Sequence, residues 1–165
     1  MKSFRVEPGL QIELVASEPL VSDPVEITWD EHGRMYVVEN NGYNREGARP
    51  RSRIKRLEDT DGDGRPDRAT IFADDLDYAQ GILRVRDGLL VTTNTGLLWL
   101  HDTDDDGRSD RTEVLFTIAP SIHVDRQMSA PRRNPDNWVY LNLGLFKQEL
   151  APANAPDRRV TYTSN

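Results

Sequence analysis

Apolar residues in this chain come in short runs divided by turns, and no stretch keeps a helical period over a useful length. Val25, Ile27 and Trp29 alternate strictly with polar neighbours, the pattern of a half-buried strand. DEHGRMYVVEN (30–40), VRDGLLVTTN (85–94) and NPDNWVYLNLG (134–144) each set a turn before an apolar, β-branched or aromatic run. His32-Gly33, Asp87-Gly88 and Asp136-Asn137 suit tight hairpin turns, which need positive φ. A second repeat follows the first. IKRLEDTDGDGRPDRATIF (54–72) aligns with LLWLHDTDDDGRSDRTEVL (97–115). Each copy reads as a strand, an acidic loop and another strand.

The repeating unit is therefore strand, tight turn, strand, connection, strand, acidic loop, strand. Four short strands in about 40–50 residues make one blade of a β-propeller, so the expected fold is all-β, a β-propeller of the six-bladed type. Blade 1 is expected over about 24–73, blade 2 over about 80–117, and the start of blade 3 over about 127–144. LQIELVA (10–16) alternates at Leu10, Ile12 and Leu14 and reads as a strand that closes a ring. About two and a half blades fall short of a ring, so the expectation is part of a longer protein or a ring completed by several chains.

The acidic loops carry the clearest chemistry. DTDGDGRPD (59–67) and DTDDDGRSD (102–110) match the first nine positions of a calcium loop, in which a hard cation takes six to eight oxygens. Asp59, Asp61, Asp63 and Asp67 are the expected carboxylate ligands of the first loop, with the carbonyl of Arg65 between them. Asp102, Asp104, Asp106 and Asp110, with the carbonyl of Arg108, take the same places in the second. Glu113 occupies position 12 of the second loop, where the first has Thr70, so the second is expected to bind more tightly. The competing reading is a pair of acidic turns without metal. The flanks are strand-like, which makes the expected role structural rather than signalling.

The third-to-fourth strand loops of a propeller lie on one face, and the second-to-third connections lie on the other. Blade 1 carries an insertion there, NNGYNREGARPRSR (40–53), and long loops on a rigid scaffold serve binding. Asn40, Tyr43, Arg45, Arg49 and Arg51 are the candidates for holding an anionic ligand or cofactor. Glu39 and Asn94 are read as equivalent ends of second strands, pointing to the same mouth. His123 falls in a blade-to-blade connection and is the candidate general base. His32 and His101 fall on the structural face. Trp29, Tyr36, Trp99, Trp138 and Tyr140 are expected to pack blades.

Composition narrows the classes. The 165 residues carry a formal charge of -7, which argues against general nucleic-acid binding. Cysteine is absent, excluding disulfides, thiolate metal sites and c-type haem attachment within this chain. No apolar run approaches a membrane span, and MKSFRVEPGL lacks the apolar core of a signal peptide.

PGLQIELVASEPLVSDPVEITWDEHGRMYVVENNGY, RIKRLEDTDGDGRPDRATIFADDL and DTDDDGRSDRTEVLF resemble the N-terminal propeller of exported planctomycete and verrucomicrobial membrane-bound dehydrogenase, or haem-binding, proteins. That propeller is similar to soluble glucose/sorbosone dehydrogenases. The resemblance implies an oxidoreductase acting on a sugar or alcohol, a pyrroloquinoline quinone cofactor, and a periplasmic, extracellular or membrane-associated setting. It also implies further blades and a cytochrome c domain as partners, with haem c outside this chain. A non-catalytic calcium-stabilised module for glycans or proteins, and a propeller lactonase, are the alternatives.

Overall fold

The computed structural model describes residues 4–41, 51–119, 128–144 and 148–162. The described residues form an all-β structure without a helix. The first sheet holds β1 (Pro24–Trp29), β2 (Met35–Asn41), β3 (Arg51–Glu58) and β4 (Arg68–Asp77), antiparallel in chain order. The second begins in the same way, with β5 (Gly81–Val85), β6 (Gly88–Thr93), β7 (Gly96–His101) and β8 (Arg111–Ile118). A short hairpin follows, β9 (Arg132–Arg133) with β10 (Val139–Tyr140). The expected four-strand unit is thus seen twice, and the expected start of a third is a two-stranded hairpin.

The second sheet is larger than expected. β11 (Gln148–Pro152) pairs with the end of β8, and β12 (Val160–Tyr162) pairs with β11, giving six strands. The outer edge of β8 is thereby covered over its last residues, whereas β4 remains an edge. β4 carries Arg68, Asp74, Asp75 and Asp77, and charges on an edge oppose strand-to-strand aggregation.

The sheets stack face to face, which explains their composition. Every residue of β6 is buried, as is all of β2 except Asn41. A strand covered on both faces reads as a continuous apolar run, not an alternation. Tyr36, Val38, Ile54 and Phe72 of the first sheet pack on Ile82, Leu89, Val91 and Leu100 of the second. Tyr36 and Phe72 meet edge-on with ring centroids 5.3 Å apart. The far side of the second sheet, with Val85, Leu90 and Leu97, packs on Met128, Val139, Leu141 and Leu143. The far side of the first, with Met35, Val37 and Leu57, is covered by Ala16, Leu20 and Val21.

Several sequence expectations change in detail. Residues 10–16 form no strand, and Leu10, Ile12 and Leu14 are exposed. Val25, Ile27 and Trp29 do form a strand, but their shared face is also exposed. Trp138 and Tyr140 are exposed as well, while Tyr36 is buried. The second hairpin turn is Arg86-Asp87, with Arg86 at φ 45°. Gly88 is needed for another reason: a Cβ there would collide with the Leu100 carbonyl oxygen.

The turn lengths correct one equivalence. Met35 pairs with Leu57, and Leu89 pairs with Leu100. Leu57 and Leu100 each stand two residues before their acidic loop. Met35 therefore corresponds to Leu89, and Glu39 to Thr93, while Asn94 corresponds to Asn40. The first strands of the three units draw together. β1 lies against β5, Gly81 is packed so tightly on Ala130 that no side chain fits, and Arg132 Nη2 donates to Glu26 Oε2 at 3.1 Å.

Candidate cation loops

Both acidic nonapeptides connect a third strand to a fourth, as expected. The connections share a skeleton written by the shared residues. Asp67 N–H donates to the Glu58 carbonyl at 2.9 Å, and Asp110 N–H to the His101 carbonyl at 2.9 Å, so each loop closes on the strand that enters it. The threonine that follows the first aspartate has a role the motif alone did not disclose. Thr60 Oγ1 donates to Asp67 at 2.8 Å, and Thr103 Oγ1 donates to Asp110 Oδ2 at 2.6 Å. Gly64 and Gly107 take φ of 87° and 89°, the left-handed region that glycine enters freely.

Each loop gathers carboxylates. Oxygens of Asp59, Asp61 and Asp67 lie within 4.8 Å of one another, as do those of Asp102, Asp104 and Asp106. These groups can hold a metal ion. Asp63 instead accepts from Arg65 N–H at 2.8 Å. Asp110 is held by Thr103, whose hydrogen bonds keep its carboxyl below the usual aspartate range. Arg65 and Arg108 follow in the turns, and Arg108 N–H donates to Asp106 Oδ1 at 2.8 Å.

Glu113 is placed differently from the expectation. It sits in β8 opposite Trp99, with His101 Nε2 at 3.7 Å and Arg111 Nη1 at 3.8 Å beside its carboxylate. Position 12 of a calcium loop returns to the ion when a helix follows. A strand follows here, and its alternation fixes Glu113 beside His101. His101 itself is buried, stacked on Trp99 at 4.3 Å and bonded through Nδ1 to Asp87 at 3.0 Å.

The two loops differ in what holds their first aspartate. Asp59 accepts from Gly62 N–H and Gly64 N–H, both at 2.7 Å, so each oxygen is satisfied. Asp102 accepts from Gly107 N–H through Oδ2 at 3.0 Å, and its buried Oδ1 has no partner. Burial pushes the Asp102 carboxyl up. An orphaned buried carboxylate oxygen is costly, and a hard cation beside it removes the cost. The residues present thus fit a divalent ion.

The residues expected to hold a ligand, at the opposite ends of the strands, are committed to structure. Glu39 is buried and accepts from Ser22 N–H at 2.8 Å and pairs with Lys55 at 2.9 Å. Asn40 is bonded to Ser52, whose Oγ accepts from Ala79 N–H at 2.7 Å. Arg51 is paired with Asp75. Asn94 is buried and donates its N–H to the Asp77 carbonyl at 2.9 Å. These residues brace the sheet ends and do not fit a quinone pocket. Tyr43, Arg45, Arg49 and His123 lie outside the described residues. A groove of about 730 Å³ runs elsewhere, beside the first acidic loop, between residues 14–20 and Lys55, Arg65, Asp67 and Ile71.

The most informative residues missed by sequence reasoning are two arginines of the first sheet. Arg34 bridges Asp30, its Nε donating to Oδ2 at 2.5 Å, and Asp105, contacted at 2.8 and 3.1 Å. Those bonds raise the Arg34 pKa. Arg56 is buried, donating to the carbonyls of Asp105 at 3.4 Å and Asp106 at 3.2 Å. The available signal for Arg56 was its place two residues after Ile54, on the same face of β3.

Stacked antiparallel sheets with paired acidic loops define an all-β protein with candidate cation sites. The chain belongs to the family described as a domain of unknown function (DUF7133), which matches residues 1–163. No curated protein and no solved structure matches it. No helix among the described residues is long and apolar enough to cross a membrane.

Proposed function

We infer that this chain is a calcium-braced β-propeller scaffold, its two complete sheets serving as successive blades. One observation carries the reading: the same acidic loop recurs at the same joint of two stacked sheets, and one copy holds a buried aspartate oxygen without a partner. Calcium suits a set of flexible carboxylates better than a smaller ion that demands octahedral geometry. Convergence of β1, β5 and β9 supports a common axis, around which about four to eight such sheets close a ring. In this reading the sequence resemblance supplies the role of the whole protein, an exported quinoprotein-type sugar or alcohol dehydrogenase.

Calorimetric titration of calcium into chelator-stripped protein tests the scaffold role. Two binding events are expected, with a rise in melting temperature. At about 100 times the dissociation constant each site adds roughly 2.7 kcal/mol of stability. A flat titration together with an unchanged melt leaves only acidic turns and removes the reading.

A further inference from the structure

Among the described residues the second acidic loop rests on the neighbouring sheet, and the first does not. In loop 1 the hydrogen bonds of Asp59, Asp61, Asp63 and Asp67 stay within residues 58–67. In loop 2 the supports arrive from the first sheet. Arg56 of β3 donates to two loop carbonyls and places Nη1 3.7 Å from Asp102 Oδ2. Its guanidinium fills the space where a Cβ of residue 107 would stand, so a side chain there would push the guanidinium aside. Arg34 grips Asp105 from the first hairpin, and Ser109 N–H donates to the Phe72 carbonyl at 2.8 Å.

These contacts divide the Asp102 carboxylate between two tasks. Oδ2 is taken by Gly107 N–H and faces Arg56. Oδ1, buried and without a partner, is the oxygen left for an ion. Asp104 and Asp106 complete the trio on the solvent side. Three carboxylates outweigh one guanidinium, so the site remains attractive to a cation despite the arginine. What Arg56 contributes is orientation of a ligand that would otherwise rotate.

Resting on the cation reading of the loops, we propose that loop 2 is an intersheet cation site. Asp102, Asp104 and Asp106 hold a divalent ion, Arg56 is the positioning residue contributed by the first sheet, and ion binding is coupled to the docking of the two sheets. Among the described residues loop 1 has no such support from another sheet. Groups that orient a metal ligand from outside the coordination shell are worth about 10–100-fold in affinity, which sets the size of the effect.

The test is calcium calorimetry joined to amide hydrogen exchange on the whole chain. Asp59→Asn and Asp102→Asn each remove one event and so assign the two. Arg56→Met is expected to weaken the loop 2 event by about tenfold or more and to leave the loop 1 event in place. Calcium is also expected to slow exchange of the Arg34 amide, which lies on the first sheet and donates to Asp30 Oδ1. That slowing should vanish in Asp102→Asn and persist in Asp59→Asn. An ion whose binding is not coupled to the docking of the sheets would leave exchange of the Arg34 amide unchanged. Equal weakening of both events by Arg56→Met, or no weakening, overturns the proposal while the cation reading stands. Should Arg56→Met not fold, the exchange comparison decides alone: equal Arg34 protection in the two aspartate variants overturns it. A wild-type protein that binds calcium at neither loop removes both readings together.

Discussion

Arg56 and Asp102 approach to 3.7 Å although they belong to different sheets. Both side chains are nearly inaccessible, and Arg56 Nη2 also lies 3.5 Å from Glu58 Oε2, at the root of the other acidic loop. One buried guanidinium thus stands between the bases of the two loops.

Removing it uncovers a buried charge. In calcium-free buffer Arg56→Ala is expected to cost about 2–4 kcal/mol, because Asp102 stays buried after its cationic neighbour is gone. Arg56→Ala combined with Asp102→Asn should recover part of the loss. Urea melts of the single and double variants measure both, and equal stabilities would show that the pair is energetically idle.

The two loop glycines separate conformation from contact. Gly64 and Gly107 share nearly the same positive φ, but nothing lies within 4 Å of a Cβ at Gly64. Gly64→Ala is expected to cost about 1–2 kcal/mol from backbone strain alone. Gly107→Ala should cost distinctly more, since the methyl group displaces Arg56. Thermal melts of the two variants side by side give the difference.

Glu113→Gln should leave both calcium isotherms unchanged, since the side chain faces His101 and Arg111 in a strand. Loss of the tighter event in this variant would mean that Glu113 swings back to the ion.

Acid should weaken the first hairpin. Burial raises the Asp30 carboxyl, but bonds from the Arg34 side chain and from the Arg34 and His32 amides outweigh it, and the folded value lies below 3.8. The unfolded chain therefore takes up this proton first. The contribution of Asp30 is present above the unfolded value and is lost as pH falls through the lower folded one. Asp30→Asn should flatten the acid limb of a plot of melting temperature against pH; an identical limb would assign the loss to other carboxylates.

Packing between the sheets should dominate stability. Phe72→Ala removes the partner of Tyr36 in the intersheet core and is expected to cost about 3–5 kcal/mol. Trp138→Ala, at a side chain 71% exposed, should fall within about 0.5 kcal/mol of wild type. Comparable losses would mean that the exposed tryptophan is covered in solution.

The strands and the loops were legible because their signals are local. A run such as Leu89-Leu90-Val91 and a repeated D-T-D need only neighbours in sequence to be read. Arg56 was not legible, because its meaning depends on a loop in the next layer. Glu113 was misplaced because a twelve-residue loop template assumes the helix that usually follows. Glu39 was matched to Asn94 because Gly33 was aligned with Gly88, whereas Gly33 lies inside the first turn and Gly88 opens β6, so the second strands were offset by one residue. The exposed faces of Leu10, Ile12 and Leu14, and of Val25 and Ile27, show that alternation marks an apolar side without saying what covers it.

The position of Arg56 also bears on how such an array can be rearranged. The residue standing at the same place in the second sheet is Trp99, and the counterpart of Arg34 is Gly88, by the pairings that align the sheets. Among the described residues the grip on loop 2 is therefore written once, at the joint between these two sheets. The two sheets are not interchangeable modules, despite nearly identical loops. A circularly permuted or duplicated chain that set two copies of the second sheet side by side would press an indole where the guanidinium belongs. Repetition built the units, and singular residues at the seams encode their order.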